Sequence, residues 1–271
     1  MSKTKCLVVL SGGQDSTTCL FWAKKYFDEV HAVTFDYNQR HRREISAACD
    51  VAKIAKIAGH TIVEVGPVLI GTSPLTNPNE TLELYTDHDS MAKIIGNRVE
   101  KTFVPMRNAL FLTLAANRAV VDGISHLVTG VCQDDNANYP DCRQVFISSQ
   151  AQTISRALDA PFEIHTPLMN MSKADSIKLA LALEANAFPA LAFSHTAYDG
   201  MYPPVGNDHA STLRAYGFEQ AGYPDPLVIR AVSQWKMKLP KTANYANLES
   251  NLELSDLVSR MAREFSVGGR T

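Results

Sequence analysis

The sequence has little that would take it into a membrane or onto a polyanion. None of its apolar runs approaches the roughly 20 residues a bilayer-spanning helix needs. Charge is nearly balanced, 26 Lys and Arg against 28 Asp and Glu, a net of −2. That excludes a global basic field for nucleic acid or anionic lipid and leaves only local basic patches open. "MSKTK" runs straight into a strand-like segment, with no signal-peptide hydrophobic region, so a cytoplasmic location is expected. Cysteines are few: Cys6, Cys19, Cys49, Cys132 and Cys142 are scattered, odd in number and suited to reduced thiols. No Cys-x-x-Cys pair, internal repeat or low-complexity segment occurs. No Ser-His-Asp spacing is recognisable either, and His41, His165, His195 and His209 have no partner legible in the sequence.

What is present is an alternation of strand and helix patterns. Residues 5–10 read as a buried strand, followed by a helix near 16–26, a second strand in "EVHAVTFDY", and a helical stretch stopping at Gly59 as its C-cap. "HTIVEV" is a third strand. Such alternation predicts an α/β fold with a parallel sheet covered by helices on both faces. From about 67 to 102 the periodicity fails, and a long polar surface loop is expected there. The pattern resumes with an apolar helix in "NALFLTLAANRAVVDG", a strand in "SHLVTG", a helix in "VFISSQAQTISRAL", a short strand in "FEIHTPL" and a helix capped by Ser172. Residues 1–186 thus form the main α/β domain, 187–230 a small irregular appendage with one helix near 207–222, and 231–271 a helical tail, suited to docking or to a subunit contact.

The chemistry begins at "LSGGQDSTTCL", residues 10–20, between the first strand and its helix. A glycine-rich turn there exposes backbone N–H groups at the positive end of a helix dipole, a ready site for phosphate. Gly12 and Gly13 would allow close approach, and the hydroxyls of Ser11, Ser16, Thr17 and Thr18 could donate. The Gly-Lys-Ser/Thr ending of the triphosphatase loop is missing, as is the dinucleotide Gly-x-Gly-x-x-Gly. Asp15 beside phosphate would be costly unless it holds Mg²⁺ or fixes the loop. A plain tight turn with a capping side chain is the bland alternative.

Ser-Gly-Gly-x-Asp-Ser after a first strand resembles the signature of the PP-loop ATP pyrophosphatases. The resemblance implies an adenine nucleotide alpha-hydrolase-like sheet and AMP-forming chemistry, in which a carbonyl-type oxygen is adenylated and pyrophosphate released. Four further stretches narrow it: "TFDYNQRH", "VPMRNALFL", "TGVCQDDNANYPDCR" and "HTPLMNMSKAD". From Lys5 to about Pro226 they resemble the 7-cyano-7-deazaguanine synthase family. The implied substrates are 7-carboxy-7-deazaguanine, ammonia and ATP with Mg²⁺, and the implied product is the nitrile. Lys173 is the first candidate cation for the developing pyrophosphate charge, with Arg40, Arg107 and Arg143 as alternatives for phosphate or carboxylate. Asp15, Lys173 and Arg107 form the expected catalytic set. ATP would meet Leu10, Ser11, Gly12, Gly13, Gln14, Asp15, Ser16, Thr17, Thr18, Phe35, Arg107 and Gly130, the last by letting backbone approach the ligand. Tyr37, Phe35 and Tyr139 could stack on the base. Its edge could be read by Gln39, Asp134, Asp135 and Asp141, and Arg40, His41, Asn108 and Arg143 complete the expected substrate-binding set. Each also has a plainer reading: Phe35 and Tyr37 as core aromatics, "RHRRE" as an exposed helix face, "DDNANYPD" as a turn-rich loop.

The sequence departs from the family at a four-cysteine zinc site. The frame survives as "YDG", "PVG" and "LRAYGFEQAG", but Val205, Asp208 and Ser211 stand at three ligand positions and the fourth falls near His195. Zinc needs four good donors and Val205 cannot be one. Zinc is therefore expected to be absent, with His195, Asp208 and His209 only weak metal candidates, and "MYPP", Tyr216 and Phe218 packing the space. The expected protein is a homodimer acting on a small molecule, with no membrane and no direct nucleic-acid partner. Two other readings stand beside it. One is the same adenylation joining a deazaguanine carboxylate to a protein amine or modifying a nucleic-acid base. The other is a nucleotide-binding module that has lost catalysis.

Overall fold

The computed structural model describes residues 3–71, 73–133, 137–204 and 206–265. Short β-branched runs supply five strands: β1 (Lys5–Val9), β2 (Glu29–Asp36), β3 (Gly59–Glu64), β4 (His126–Val128) and β5 (Glu163–His165). They pair in parallel in the order β3-β2-β1-β4-β5. The crossovers are α1 (Gln14–Tyr26), α2 (Arg43–Ala55), α3 (His88–Ile95), α4 (Arg107–Val121) and α5 (Gln144–Leu158). After β5 come α6 (Lys173–Ala182), α7 (Ala187–Ala190), α8 (His209–Ala221), α9 (Pro226–Ser233) and α10 (Leu248–Glu264).

Side chains alternate across each strand, so the sheet feeds two apolar layers. Cys6 and Val8 join one with α1, α2 and the chain from α6 onward, while Leu7 joins the other with Leu112, Ala115 and Ile147 of α4 and α5. This is the parallel, helix-covered sheet the sequence predicts. Strand order reverses at β1, with β2 on one side and β4 on the other, and a crevice opens beyond the strand ends at such a switch point.

Two local differences from the sequence reading have physical causes. Gly59 opens β3 rather than ending α2; Lys56 takes the left-handed C-cap at φ 52°. A Cβ at Gly59 would stand 2.9 Å from His31 Nδ1, so close strand packing explains that glycine. The segment 67–102 is no bare loop: Asp87 and Ser90 form a capping box that starts α3, and Met91 and Ile95 bury against Tyr85 and Leu213. Helix α10 folds back on its own chain, where Leu254, Val258 and Met261 enter the same layer as β1 and α1.

Candidate active site

A cavity of about 310 Å³ occupies the crevice. Leu10, Ser11, Gly13, Gln14, Asp15 and Ser16 line one end. Gly13 is the N-cap of α1 and no side chain caps that start, so the first turn presents its amides and positive dipole end to the space. Gln14 is buried, lines the cavity, and neither atom of its side-chain amide has a partner among the described residues. A buried amide in that state is costly until something completes it, and a phosphate oxygen would accept from its NH₂ group. The cradle therefore fits a nucleotide on its own terms. Ser16 donates its hydroxyl to the Gly13 carbonyl at 3.1 Å and lies 3.0 Å from the Ser11 hydroxyl.

Four residues read as nucleotide contacts do other work. Thr17 and Thr18 donate their hydroxyls to the carbonyls of Gly13 and Gln14 at 2.8 and 3.2 Å, turning into α1 and away from the cavity. Gly12, at φ +87°, sits against α2: a Cβ there would stand 2.2 Å from the Glu44 carbonyl oxygen. Gly130 lines the cavity, but a Cβ on it would meet the Asp15 and Ser16 backbone at 3.0 Å. Both glycines permit close approach of protein to protein, and Gly130 does so while lining the cavity.

Lys173, at the first position of α6, reaches back to the cradle and donates to Asp15 Oδ2 at 2.8 Å. The ammonium thus offsets the carboxylate that the loop places beside a phosphate site. Gly217 of α8 makes room for it, since a Cβ there would lie 2.5 Å from Lys173 Cγ.

The other end is walled by Phe35, Tyr37, Arg107, Phe111, Tyr139 and Tyr198. Phe35 stacks on Phe111 with centroids 4.5 Å apart, and Tyr37 meets the same ring edge-on, so both are at once core aromatics and cavity wall. Arg107 lies at the start of α4 among Tyr37, Tyr139 and Tyr198. Tyr139 donates to Glu100 Oε2 at 3.2 Å and lies 2.5 Å from the Thr102 hydroxyl, which ties this wall to the segment before α4. Arg40 lines the cavity, yet its guanidinium donates to the carbonyls of Pro74 and Glu80, both at 3.3 Å. Gln39 accepts from the Tyr37 N–H at 3.0 Å, closing the turn after β2. His41 meets His195 edge-on at 4.8 Å.

Asn108 and Asp141 hold each other. The Asp141 carboxylate accepts from the Asn108 N–H at 3.2 Å, and the Asn108 amide donates to the Asp141 carbonyl at 3.3 Å. Asp141 is buried and outside the cavity lining, so it anchors α4 to the "YPDC" turn instead of reading a ligand edge. Arg143 is exposed at the start of α5, also away from the cavity, because the turn aims it outward. Asp134 and Asp135 lie outside the described residues.

Sequence reasoning missed Glu44 and Tyr198. Glu44 follows "RHRR", which reads as a solvated helix start, yet it lines the cavity. Burial pushes its carboxyl up to about 7 against the opposing pull of Arg107. Tyr198 belongs to the irregular appendage, where no periodicity marks a wall position. Burial raises its phenol well above the usual range. His195 is pushed down to about 4 by burial and then by the neighbouring His41 ring, so it is neutral near pH 7.

Hydrogen bonds centred on Asp208 and Arg214 hold the appendage together. Asp208 caps α8 by accepting from the Ser211 N–H at 2.8 Å and also accepts from the Tyr198 N–H at 2.9 Å. Arg214 is buried: it grips Asp225 with two bonds of 2.6 and 2.8 Å and donates to Ser194, Thr196 and the Leu191 carbonyl. Phe218 is fully buried and Tyr216 stacks on His88 at 3.6 Å, whereas Met201 is exposed. His195 and His209 face the cavity and Asp208 does not; among the described residues these three do not converge as a metal-ligand group. Val205 lies outside the described residues.

An uncapped helix start at the switch point of a parallel sheet is a nucleotide-binding arrangement of α/β proteins. Residues 5–222 match the model of the family described as queuosine biosynthesis protein QueC. Two relatives are named 7-cyano-7-deazaguanine synthase. One, from Gloeobacter violaceus, is 48% identical over 82% of this chain and 95% of its own. The other, from Laribacter hongkongensis, is 46% identical over 83% of this chain and 94% of its own. The structure of NMN synthetase from Francisella tularensis aligns at TM-score 0.39 and 12% identity, over 94% of this chain and 85% of that one. The chain belongs to the QueC family.

Proposed function

We propose that this protein is an ATP-dependent ligase that converts 7-carboxy-7-deazaguanine and ammonia into 7-cyano-7-deazaguanine. Family membership and the names of the relatives support the substrate. One observation carries the chemistry: a single cavity joins an uncapped helix start, with its uncompleted Gln14 amide, to an aromatic wall beside Arg107.

The substrate carboxylate attacks the α-phosphate of ATP, and pyrophosphate leaves. Ammonia displaces AMP to give the amide, and AMP carries away one carboxylate oxygen. The amide oxygen then attacks a second ATP; loss of the next AMP and of the nitrogen-bound protons leaves the nitrile. Each carboxylate oxygen thus departs on one AMP. The first turn of α1 and Gln14 would hold pyrophosphate, and Lys173 would exchange part of its contact with Asp15 for the leaving group. Mg²⁺, held by Asp15 and the phosphate oxygens, would neutralise charge on that group. Glu44, titrating near 7, is placed to take a proton at the far end of the cavity.

The same reading includes a zinc-free appendage, closed by Arg214, Asp208 and apolar packing, and a homodimer in the cytoplasm. Zinc lost from the protein on His195→Ala would overturn the former. The direct test is incubation with ATP, Mg²⁺, ammonia and 7-carboxy-7-deazaguanine, with AMP and product followed by mass. The expected result is nitrile with two AMP per molecule. A persisting amide or adenylate would reassign the acceptor, and no AMP with any carboxylate would remove the ligase reading.

A further inference from the structure

Away from the cavity, three ligating side chains converge on one face of the sheet. His126 opens β4 and stands opposite Glu163 in the β4–β5 ladder, and His165 follows Glu163 by two residues. Residues two apart on a strand share a face, so the ladder itself brings the three together. His126 Nδ1 lies 3.2 Å from His165 Nε2 and 3.7 Å from Glu163 Oε2, and His165 Nε2 lies 3.6 Å from that same oxygen. Donors about 2.0–2.2 Å from a tetrahedral zinc ion are separated from one another by about 3.3–3.6 Å. The observed separations of 3.2, 3.6 and 3.7 Å lie within about 0.1 Å of that range. Among the described residues it is the one His, Cys, Asp or Glu group that converges this way.

We propose that His126, Glu163 and His165 form an exchangeable site for a divalent transition-metal ion, zinc by the character of its donors. Two imidazoles and one carboxylate suit zinc and exclude the hard all-oxygen cations. The rings are held before any ion arrives: Phe27 packs at 5.4 Å from His126 and 5.5 Å from His165, and Trp22 at 6.0 Å from His165. Ordinarily two ring nitrogens facing each other share one proton; an ion uses both lone pairs and the carboxylate together. The side chains are 29%, 62% and 26% exposed in chain order, so water completes the fourth position and the ion leaves readily. A chain purified with chelator would then carry none, in keeping with a zinc-free appendage. The ion would rivet the three-residue edge strand β5 to β4 beneath the C-terminal end of α1, the opposite end of that helix from the phosphate cradle.

The test uses the full chain, stripped by chelator and titrated with Co²⁺ as a spectroscopic probe and then with Zn²⁺ as competitor. One ion per chain is expected, with an intense visible Co²⁺ band that Zn²⁺ removes. His126→Gln, His165→Gln and Glu163→Gln should each lose the band, and Zn²⁺ should raise Tm in the parent protein but not in these variants. Glu163→Gln keeps size at an exposed position, so loss of binding there is not loss of fold. His195→Ala should bind as the parent does. Absence of binding, binding that survives His126→Gln and His165→Gln, or binding lost with His195→Ala would each overturn the site.

Discussion

Asp15 and Lys173 share one hydrogen bond at the mouth of the cradle, so their contributions to turnover should not add. Lys173→Ala should lower AMP formation by about 10²–10³-fold, the scale of losing one positioned charge at a transition state. Asp15→Ala should abolish it with the fold intact, and the double variant should be little worse than Asp15→Ala. Additive losses in a double-mutant cycle on AMP release would separate the two roles. Glu44 and His195 should give the stability curve opposite slopes. A Glu44 carboxyl raised to about 7 keeps its proton in the fold while the unfolded chain loses it above about 4.5, so its contribution declines from there to about 7. A His195 ring lowered to about 4 stays neutral while the unfolded chain takes up a proton below about 6.5, so its contribution declines as pH falls from there to about 4. Thermal unfolding across pH should therefore show Glu44→Gln gaining on the parent up to neutrality, and His195→Asn gaining on it towards acid.

At the scale of elements, the decisive joint lies between the phosphate loop and α2. Gly12→Ala puts a Cβ into the Glu44 carbonyl and a side chain at φ +87°. Strain of the second kind alone costs about 1–3 kcal/mol, so chemical denaturation should show at least that loss. Thr17→Val and Thr18→Val, by contrast, should leave KM for ATP nearly unchanged, because their hydroxyls serve the helix. One cap was legible: Ser172 marks α6 in sequence and in structure. The packing roles of Gly12 and Gly130 were not legible, because sequence cannot distinguish a glycine that admits a ligand from one that admits neighbouring backbone. Asp141 and Arg143 show the same limit, since "YPDCR" signals a turn but not which way it aims its charges. The segment 67–102 hid α3 because its signal is a capping box without a long apolar period, and its role as wall shows only in space, through Leu75 in the cavity lining and the partners it gives Arg40 and Tyr139.

For the molecule as a whole, the family match ends at residue 222, before α9 and α10, yet both helices share the apolar layer that backs the sheet. Leu254→Ala with Met261→Ala should lower Tm clearly, each buried truncation costing about 2–5 kcal/mol. Arg214→Met should cost about 3–5 kcal/mol by stranding buried Asp225. If the appendage were instead held by a metal, chelation and not this substitution would loosen it. A last consequence follows from the contact of Gly12 with Glu44, reinforced by the His195 N–H donating to the Gly12 carbonyl at 2.8 Å. The nucleotide berth is keyed to α2 and to the appendage, whereas Arg40 and Tyr139 lean on a peripheral segment. A chain built this way has a fixed jaw and an adjustable jaw: under the proposed function, changes in which base it accepts would accumulate in 67–102 while the nucleotide berth stays in register.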